Sequence, residues 1–177
     1  VGALASSELV RINVRDAAHG YHVQKLLAGR VPPERVFLHQ FPTNDAWCRD
    51  HGAIFVTRNA AEGAPLLALD FEYNAWGGKY PPFDKDDLVP RQVAALLGYQ
   101  RYEPGIILEG GAVDGNGLGT ILTTEECLLD PVVQTRNPGL SRAELEAVLK
   151  QVLGATNVLW LGKGIARLGK RNSRSES

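Results

Sequence analysis

The chain has 177 residues, 44% of them hydrophobic and 22% charged, with a formal net charge of −1. That length suffices for one ordinary domain with its own core, and the composition excludes disordered, collagen-like and membrane classes. No apolar run approaches the roughly 18 residues of a membrane span and no leader pattern opens the chain, so the expected setting is cytoplasmic. The small net charge hides an asymmetry. Lys163, Arg167, Lys170, Arg171 and Arg174 against Glu176 give residues 163–177 a net +4, which leaves residues 1–162 at −5. A mildly acidic body argues against a nucleic-acid face and suits a cationic small ligand. The two cysteines, Cys48 and Cys127, are far apart and in no CxxC pairing, so they indicate neither a disulfide framework nor a zinc site. Methionine is absent and the first residue is Val1, so the sequence need not start where translation starts.

In chain order, the pattern predicts a strand at Val10–Val14, a helix over Ala17–Ala28 with Asp16 as N-cap and Gly29 as stop, and a strand at Val36–Phe41. Strands at Ile54–Thr57 and Leu66–Phe71 follow, then a helix over Asp87–Leu97 capped by Asp86, with Val89, Val93, Leu96 and Leu97 on one face and Gly98 ending it. A strand at Ile106–Glu109 comes next, and Asp114-Gly115-Asn116-Gly117 reads as a hairpin turn before a strand at Gly119–Thr123. Ser141-Arg142-Ala143-Glu144 is a capping box, followed at helical spacing by Leu145, Val148, Leu149 and Val152, with Gly154 closing before a strand at Val158–Leu161. One unit thus recurs three times: strands, a helix, a glycine, then a strand running into a polar loop. Such recurrence points to a repeat architecture rather than a single wound sheet.

If the units stack about a common axis, their three loops meet at one end. The first is Pro42-Thr43-Asn44-Asp45-Ala46-Trp47-Cys48-Arg49-Asp50, the second Glu109-Gly110-Gly111-Ala112, and the third Gly162-Lys163-Gly164-Ile165-Ala166. Two of them deliver carboxylates. The third enters residues 167–177, which lack apolar periodicity and are expected to be disordered.

Asp45 and Asp50 flank Trp47 in a loop that also holds Arg49 and His51. A carboxylate beside an indole suits a flat organic cation, since the carboxylate takes paired N–H donors while the ring face attracts charge. The competing reading makes Asp50 and Arg49 a solvated pair and Trp47 a core residue. Glu109 follows the apolar run Ile106-Ile107-Leu108, where burial would demand a partner, and Gly110-Gly111 permits close backbone approach; the alternative is a turn with a solvated Glu. Asn74-Ala75-Trp76-Gly77-Gly78-Lys79-Tyr80-Pro81-Pro82 reads either as an aromatic pocket wall or as a packing corner. Cys48 reads as a buried packing residue, because Asp45 and Asp50 disfavour a second anion beside it, and Cys127 reads as strand core. His19, His22 and His39 have no metal-like spacing with another ligand, so no metal is expected.

Taken together, Thr43–Gly52, Asn74–Tyr80, Leu108-Glu109-Gly110-Gly111, Thr123–Leu129 and Arg136-Asn137-Pro138, in this order, resemble the agmatine deiminase family, related to the bacterial peptidylarginine deiminases of the guanidine-modifying pentein superfamily. The resemblance implies an α/β fold, a partial five-bladed propeller of about three of five ββαβ-type repeats over residues 1–166, with 167–177 as a basic tail outside it. It also implies an enzyme that converts agmatine and water to N-carbamoylputrescine and ammonia for putrescine biosynthesis. A cysteine thiolate attacks the guanidinium carbon, a histidine serves as acid and base, and no cofactor is used. By that resemblance Asp50 binds the guanidinium, Trp47 is its aromatic neighbour, Trp76 is a pocket wall, Glu109 supports the site, and Gly110 and Gly111 are backbone positions of the same loop.

The sequence also departs from the family. The Asp-Thr-Asp-Gly-His-Val-Asp stretch carrying the histidine, the late nucleophilic cysteine and the family's N-terminal stretch are not in this chain. The abrupt change after Ala166 reads as a frameshift, an alternative splice or an intron read-through. The expectation is therefore no catalytic residue and no turnover in this chain alone, no nucleic-acid or membrane partner, and self-association through exposed blade edges. Two alternatives stand beside this reading: a non-catalytic propeller module that binds a guanidino compound or a protein, and a fragment of an arginine or peptidylarginine deiminase.

Overall fold

The computed structural model describes residues 1–57 and 65–164, so the expected disorder of 167–177 lies outside the described residues. The chain divides into two compact units, 1–111 and 112–177.

The first unit holds two sheets. In one, β1 (Val10–Asn13) pairs in parallel with β2 (Val36–His39), and α1 (Ala17–Leu27) connects them. Asp16 caps α1 as expected, its carboxylate accepting the His19 N–H at 2.7 Å. Gly20 is the buried residue of this helix and faces the Val14 and Leu38 side chains. In the other sheet, β3 (Ile54–Thr57) runs antiparallel to β4 (Leu66–Leu69), which pairs in parallel with β5 (Gln100–Tyr102) across α2 (Val89–Leu97). Ala68, Leu69, Phe71, Tyr73, Val89, Ala94, Ile106 and Leu108 form its buried core.

Three expectations are corrected in this sheet. The helix begins at Val89 instead of Asp87, because the carboxylates of Asp86 and Asp87 accept N–H groups of Asn44 and Tyr73 rather than capping it; Pro90 suits its first turn. Leu96 is 43% exposed and stands off the buried face. The strand after this helix is β5, whose three residues are all exposed and carry no apolar alternation to announce it. Ile106–Glu109 is no strand. Pro104 and left-handed Gly105 interrupt the ladder, and a single bridge, Ile107 to Glu72, resumes it with Leu108 N donating to Glu72 O at 3.2 Å.

The second unit repeats the pattern, with β6 (Asp114–Gly115) antiparallel to β7 (Thr120–Thr124), and β7 parallel to β8 (Asn157–Leu161) across α3 (Arg142–Leu153). The capping box is present in full at Ser141 and Glu144, and Leu145 and Leu149 on α3 are wholly buried. Hydrogen bonds from Ser141 hold the Glu144 carboxyl below its ordinary pKa. Asp114-Gly115 is strand rather than turn; the turn follows it, where Asn116 Oδ1 accepts the N–H groups of Leu118 at 2.8 Å and Thr120 at 3.1 Å. Cys127 lies on a helical turn, Glu125–Leu128, capped by Thr124, and not in a strand. Among the described residues no helix is long and apolar enough to cross a membrane.

The burial pattern separates two leucines of similar appearance in sequence. Leu145→Ala is expected to lower stability by about 2–5 kcal/mol and Leu96→Ala by less than about 0.5 kcal/mol, read from urea unfolding followed by circular dichroism.

Candidate functional site

The site builds on Asp50 in the first unit. Residues 48–51 form one helical turn whose N-terminal neighbour, Trp47, is 58% exposed. Asp50 Oδ2 accepts the Trp76 indole N–H at 3.1 Å, and Oδ1 accepts the Gly111 backbone N–H at 3.1 Å. The two bonds fix the plane of the carboxylate and leave one lone pair on each oxygen for a further donor.

Gly110 and Gly111 explain themselves through this contact. A methyl group at Gly110 would collide with the Arg49 carbonyl oxygen, and one at Gly111 with Asp50 Oδ1. The loop expected to allow close backbone approach therefore does so against the Asp50 turn itself. Glu109, which leads into it, is 2% exposed, so the solvated-turn alternative is set aside.

Trp76 reaches Asp50 from an unusual backbone. Ala75, Trp76, Gly77 and Gly78 all have positive φ, at 51°, 59°, 81° and 75°. For Ala75 and Trp76 this costs about 1–2 kcal/mol each, offset by local bonds. Asn74 Oδ1 accepts the Gly77 N–H at 2.9 Å, and the Gly78 and Lys79 N–H groups return to the Asn74 and Ala75 carbonyls. The turn sets the half-buried indole edge-on to Trp47, Tyr73 and Tyr80, with ring centroids 6.3, 5.6 and 5.7 Å away. Such strain is characteristic of functional positions.

The first loop is tied down separately. Buried Asp86 accepts the Asn44 N–H at 2.7 Å and the Asp45 N–H at 3.2 Å, while Asn44 Oδ1 accepts the Lys85 N–H. Asp45 turns its own carboxylate to the Ala46 N–H.

Several sequence readings change here. Trp47 is not core, and Arg49 is exposed with no ion pair among the described residues, so the solvated Asp50–Arg49 pair does not form. Cys48 is exposed rather than buried, yet desolvation of its sulfur and the carboxylate of Asp86 raise its pKa, the opposite of an activated nucleophile. His39 accepts a bond from Arg11 at 3.1 Å, and desolvation and that charge lower its pKa. Sequence reasoning gave no role to three residues that the structure buries here: His51, named only as a member of the first loop, Tyr73, and Asp86 as a loop anchor. Only their adjacency to the Trp-Cys-Arg-Asp and Asn-Ala-Trp-Gly-Gly motifs could have flagged the first two.

Comparison with known proteins follows this geometry. Residues 1–171 match the model of the Porphyromonas-type peptidyl-arginine deiminases. The chain belongs to that family. It is 41% identical over 141 residues to the agmatine deiminase of Ectopseudomonas mendocina, covering 77% of this chain and 37% of that protein. Among solved structures, an agmatine deiminase of Enterococcus faecalis catalysing its reaction superposes with a TM-score of 0.79 at 33% identity, over 92% of this chain and 42% of that one. A substrate-bound agmatine deiminase variant from C. jejuni gives 0.79 at 29%, over 93% and 45%. This family member thus carries part of the α/β pentein propeller of its relatives and spans less than half their length.

Two outcomes check the site geometry. Gly110→Ala should destabilise the chain by about 1–3 kcal/mol and by more than Gly111→Ala, since a backbone carbonyl cannot swing aside as a carboxylate can; thermal unfolding reads both. Iodoacetamide should alkylate Cys48, measured in a Cys127→Ser background, more slowly at pH 7.5 than it alkylates a cysteine peptide. The rate should rise only at higher pH, because a raised pKa leaves less thiolate at neutrality.

Proposed function

We propose that the chain is the guanidinium-binding part of an agmatine deiminase-type hydrolase, with Asp50, Trp47, Trp76, Glu109, Gly110 and Gly111 as its ligand-binding residues. The observation that carries this reading is Asp50, held on both oxygens by Trp76 and Gly111 and open beside an exposed indole. A guanidinium offers planar N–H donors that pair with such a carboxylate, and its charge favours the indole face. Buried Glu109 adds a second negative group in the loop that meets Asp50. Clamping fixes the plane of the cation and offsets its charge, which presents its central carbon to a nucleophile. The nucleophilic cysteine and acid/base histidine motifs of the resemblance are not in the 177-residue sequence, so this chain binds without turnover.

Arg49 favours one comparison. It is an exposed cation adjoining Asp50 with no ion pair among the described residues, and it would serve a substrate that carries an α-carboxylate. Free arginine therefore belongs in the test beside agmatine.

Isothermal titration of the purified chain should show saturable agmatine binding that Asp50→Asn weakens by about tenfold to a hundredfold, with no N-carbamoylputrescine formed. Equal binding by wild type and Asp50→Asn, or product formation, would contradict the proposal. Preference for arginine that is lost in Arg49→Gln would move the substrate to that class.

A further inference from the structure

A cavity of about 630 Å³ lies in the first unit between the end of α1 and β2, and none of the guanidinium-site residues lines it. It follows from how the chain leaves the helix. Left-handed Gly29, at φ 70°, turns the backbone out of α1, and the Pro32-Pro33 turn comes before the chain enters β2. The gap is walled by Leu27, Val31, Pro33, Val36, Phe37 and Leu38, none of them buried, with Gln24 and His39 as the polar side chains. Successive side chains of a strand point to opposite faces, yet Val36, Phe37, Leu38 and His39 all line the cavity. It therefore runs along the open edge of β2, on the side away from β1. Apolar walls, few polar groups and a volume inside the range of roughly 300–1,000 Å³ are the form of a small-molecule site.

Charge says which kind of molecule. Arg11 donates to His39 Nε2 at 3.1 Å, and its guanidinium lies 5.0 Å over the Phe37 ring. Both partners are walls of the cavity, so the cation is held at its rim. No carboxylate pairs with Arg11 among the described residues. A guanidinium keeps its charge at any ordinary pH, and one N–H given to an imidazole leaves the remaining donors for an anion. The surrounding segment, residues 10–39, carries Arg11, Arg15, Lys25, Arg30 and Arg35 against Asp16 and Glu34, a local excess of cations in a body that is acidic overall. The walls are aliphatic apart from Phe37, whose face Arg11 already occupies, so they suit a hydrocarbon chain rather than a ring.

We propose that this cavity binds a medium-chain monocarboxylate, its hydrocarbon against Leu27, Val31, Val36 and Leu38 and its carboxylate paired with Arg11. Binding removes partly wetted aliphatic surface from water and gives the arginine a planar partner. The site is separate from Asp50 and stands whether or not the chain binds a guanidinium.

Isothermal titration of the 177-residue chain with octanoate and decanoate, each below its micellar concentration, tests this. Decanoate should saturate a single site and bind about five- to twentyfold more tightly than octanoate, because two more methylenes leave water. Octyltrimethylammonium, with the same chain and the opposite charge, should bind at least about fivefold more weakly than octanoate. Arg11→Gln should weaken decanoate about three- to tenfold with the thermal midpoint kept, while Arg15→Gln, at an exposed arginine already paired with Asp16, should change it less than about twofold. Ala28→Phe, at an exposed position on the cavity wall, should fill the space and abolish binding with every charge in place, so the proposal stays open to refutation even if Arg11→Gln folds poorly. Absence of saturable decanoate binding, equal affinity for the anionic and cationic probes, or binding that Ala28→Phe leaves intact would overturn it. So would a dimer in sedimentation that takes up no decanoate and that Ala28→Phe dissociates, since the cavity would then be a contact between copies of the chain.

Discussion

The local architecture depends on carboxylates that accept backbone N–H groups from loops belonging to other segments. Asp86 holds the Asn44-Asp45 stretch, Asp87 holds Tyr73, and Asp50 holds Gly111, all in the first unit. In the second, Glu126 accepts the Gly164 N–H at 2.7 Å. A charged acceptor bonded to an amide is stronger than a neutral pair, and it satisfies loop N–H groups that no sheet ladder reaches. Polar loops can thereby be held in one geometry at the ends of short strands, where function is usually placed.

Asp50 performs two tasks at once. It anchors the Glu-Gly-Gly loop, and it is the group a cation would meet. That coupling explains why neighbouring positions tolerate so little volume: Gly110 lies against the Arg49 carbonyl and Gly111 against the anchoring carboxylate. It also gives a reason for the left-handed run at Ala75–Gly78, since a right-handed turn would aim the Trp76 indole elsewhere. The strain is local, and it is offset by the Asn74 side chain and by two backbone bonds.

The repeat was legible because its signals are local. Asp16, the Ser141–Glu144 box and the helix-ending glycines act within one turn of chain, and Ile54–Thr57 is found with the bounds its composition predicts. The misreadings share a different cause. Asp86 resembles an N-cap, but the Asn44 and Asp45 amides, 42 and 41 positions away, compete for the same carboxylate and win. Gln100–Tyr102 becomes a strand only because β4 offers an open edge beside it. Cys48 looked like a packing residue, and the open surface of its turn could not be read from its neighbours.

The length of 177 residues and the near-neutral charge first read as one self-sufficient domain, and the ordered motifs Trp-Cys-Arg-Asp, Asn-Ala-Trp-Gly-Gly and Glu-Gly-Gly identified the family from residue types alone. Sequence by itself therefore determined the fold class, the three helices and which residues to examine, because these follow from short-range periodicity, capping and motif order. Only the tertiary structure decided that the Asp50 and Gly111 segments meet and that Trp76 turns its N–H onto Asp50. Those facts depend on contacts between segments 26 and 61 residues apart and on left-handed backbone at a tryptophan. Local preference does not encode them, since burial and long-range hydrogen bonds, and not propensity, select such conformations.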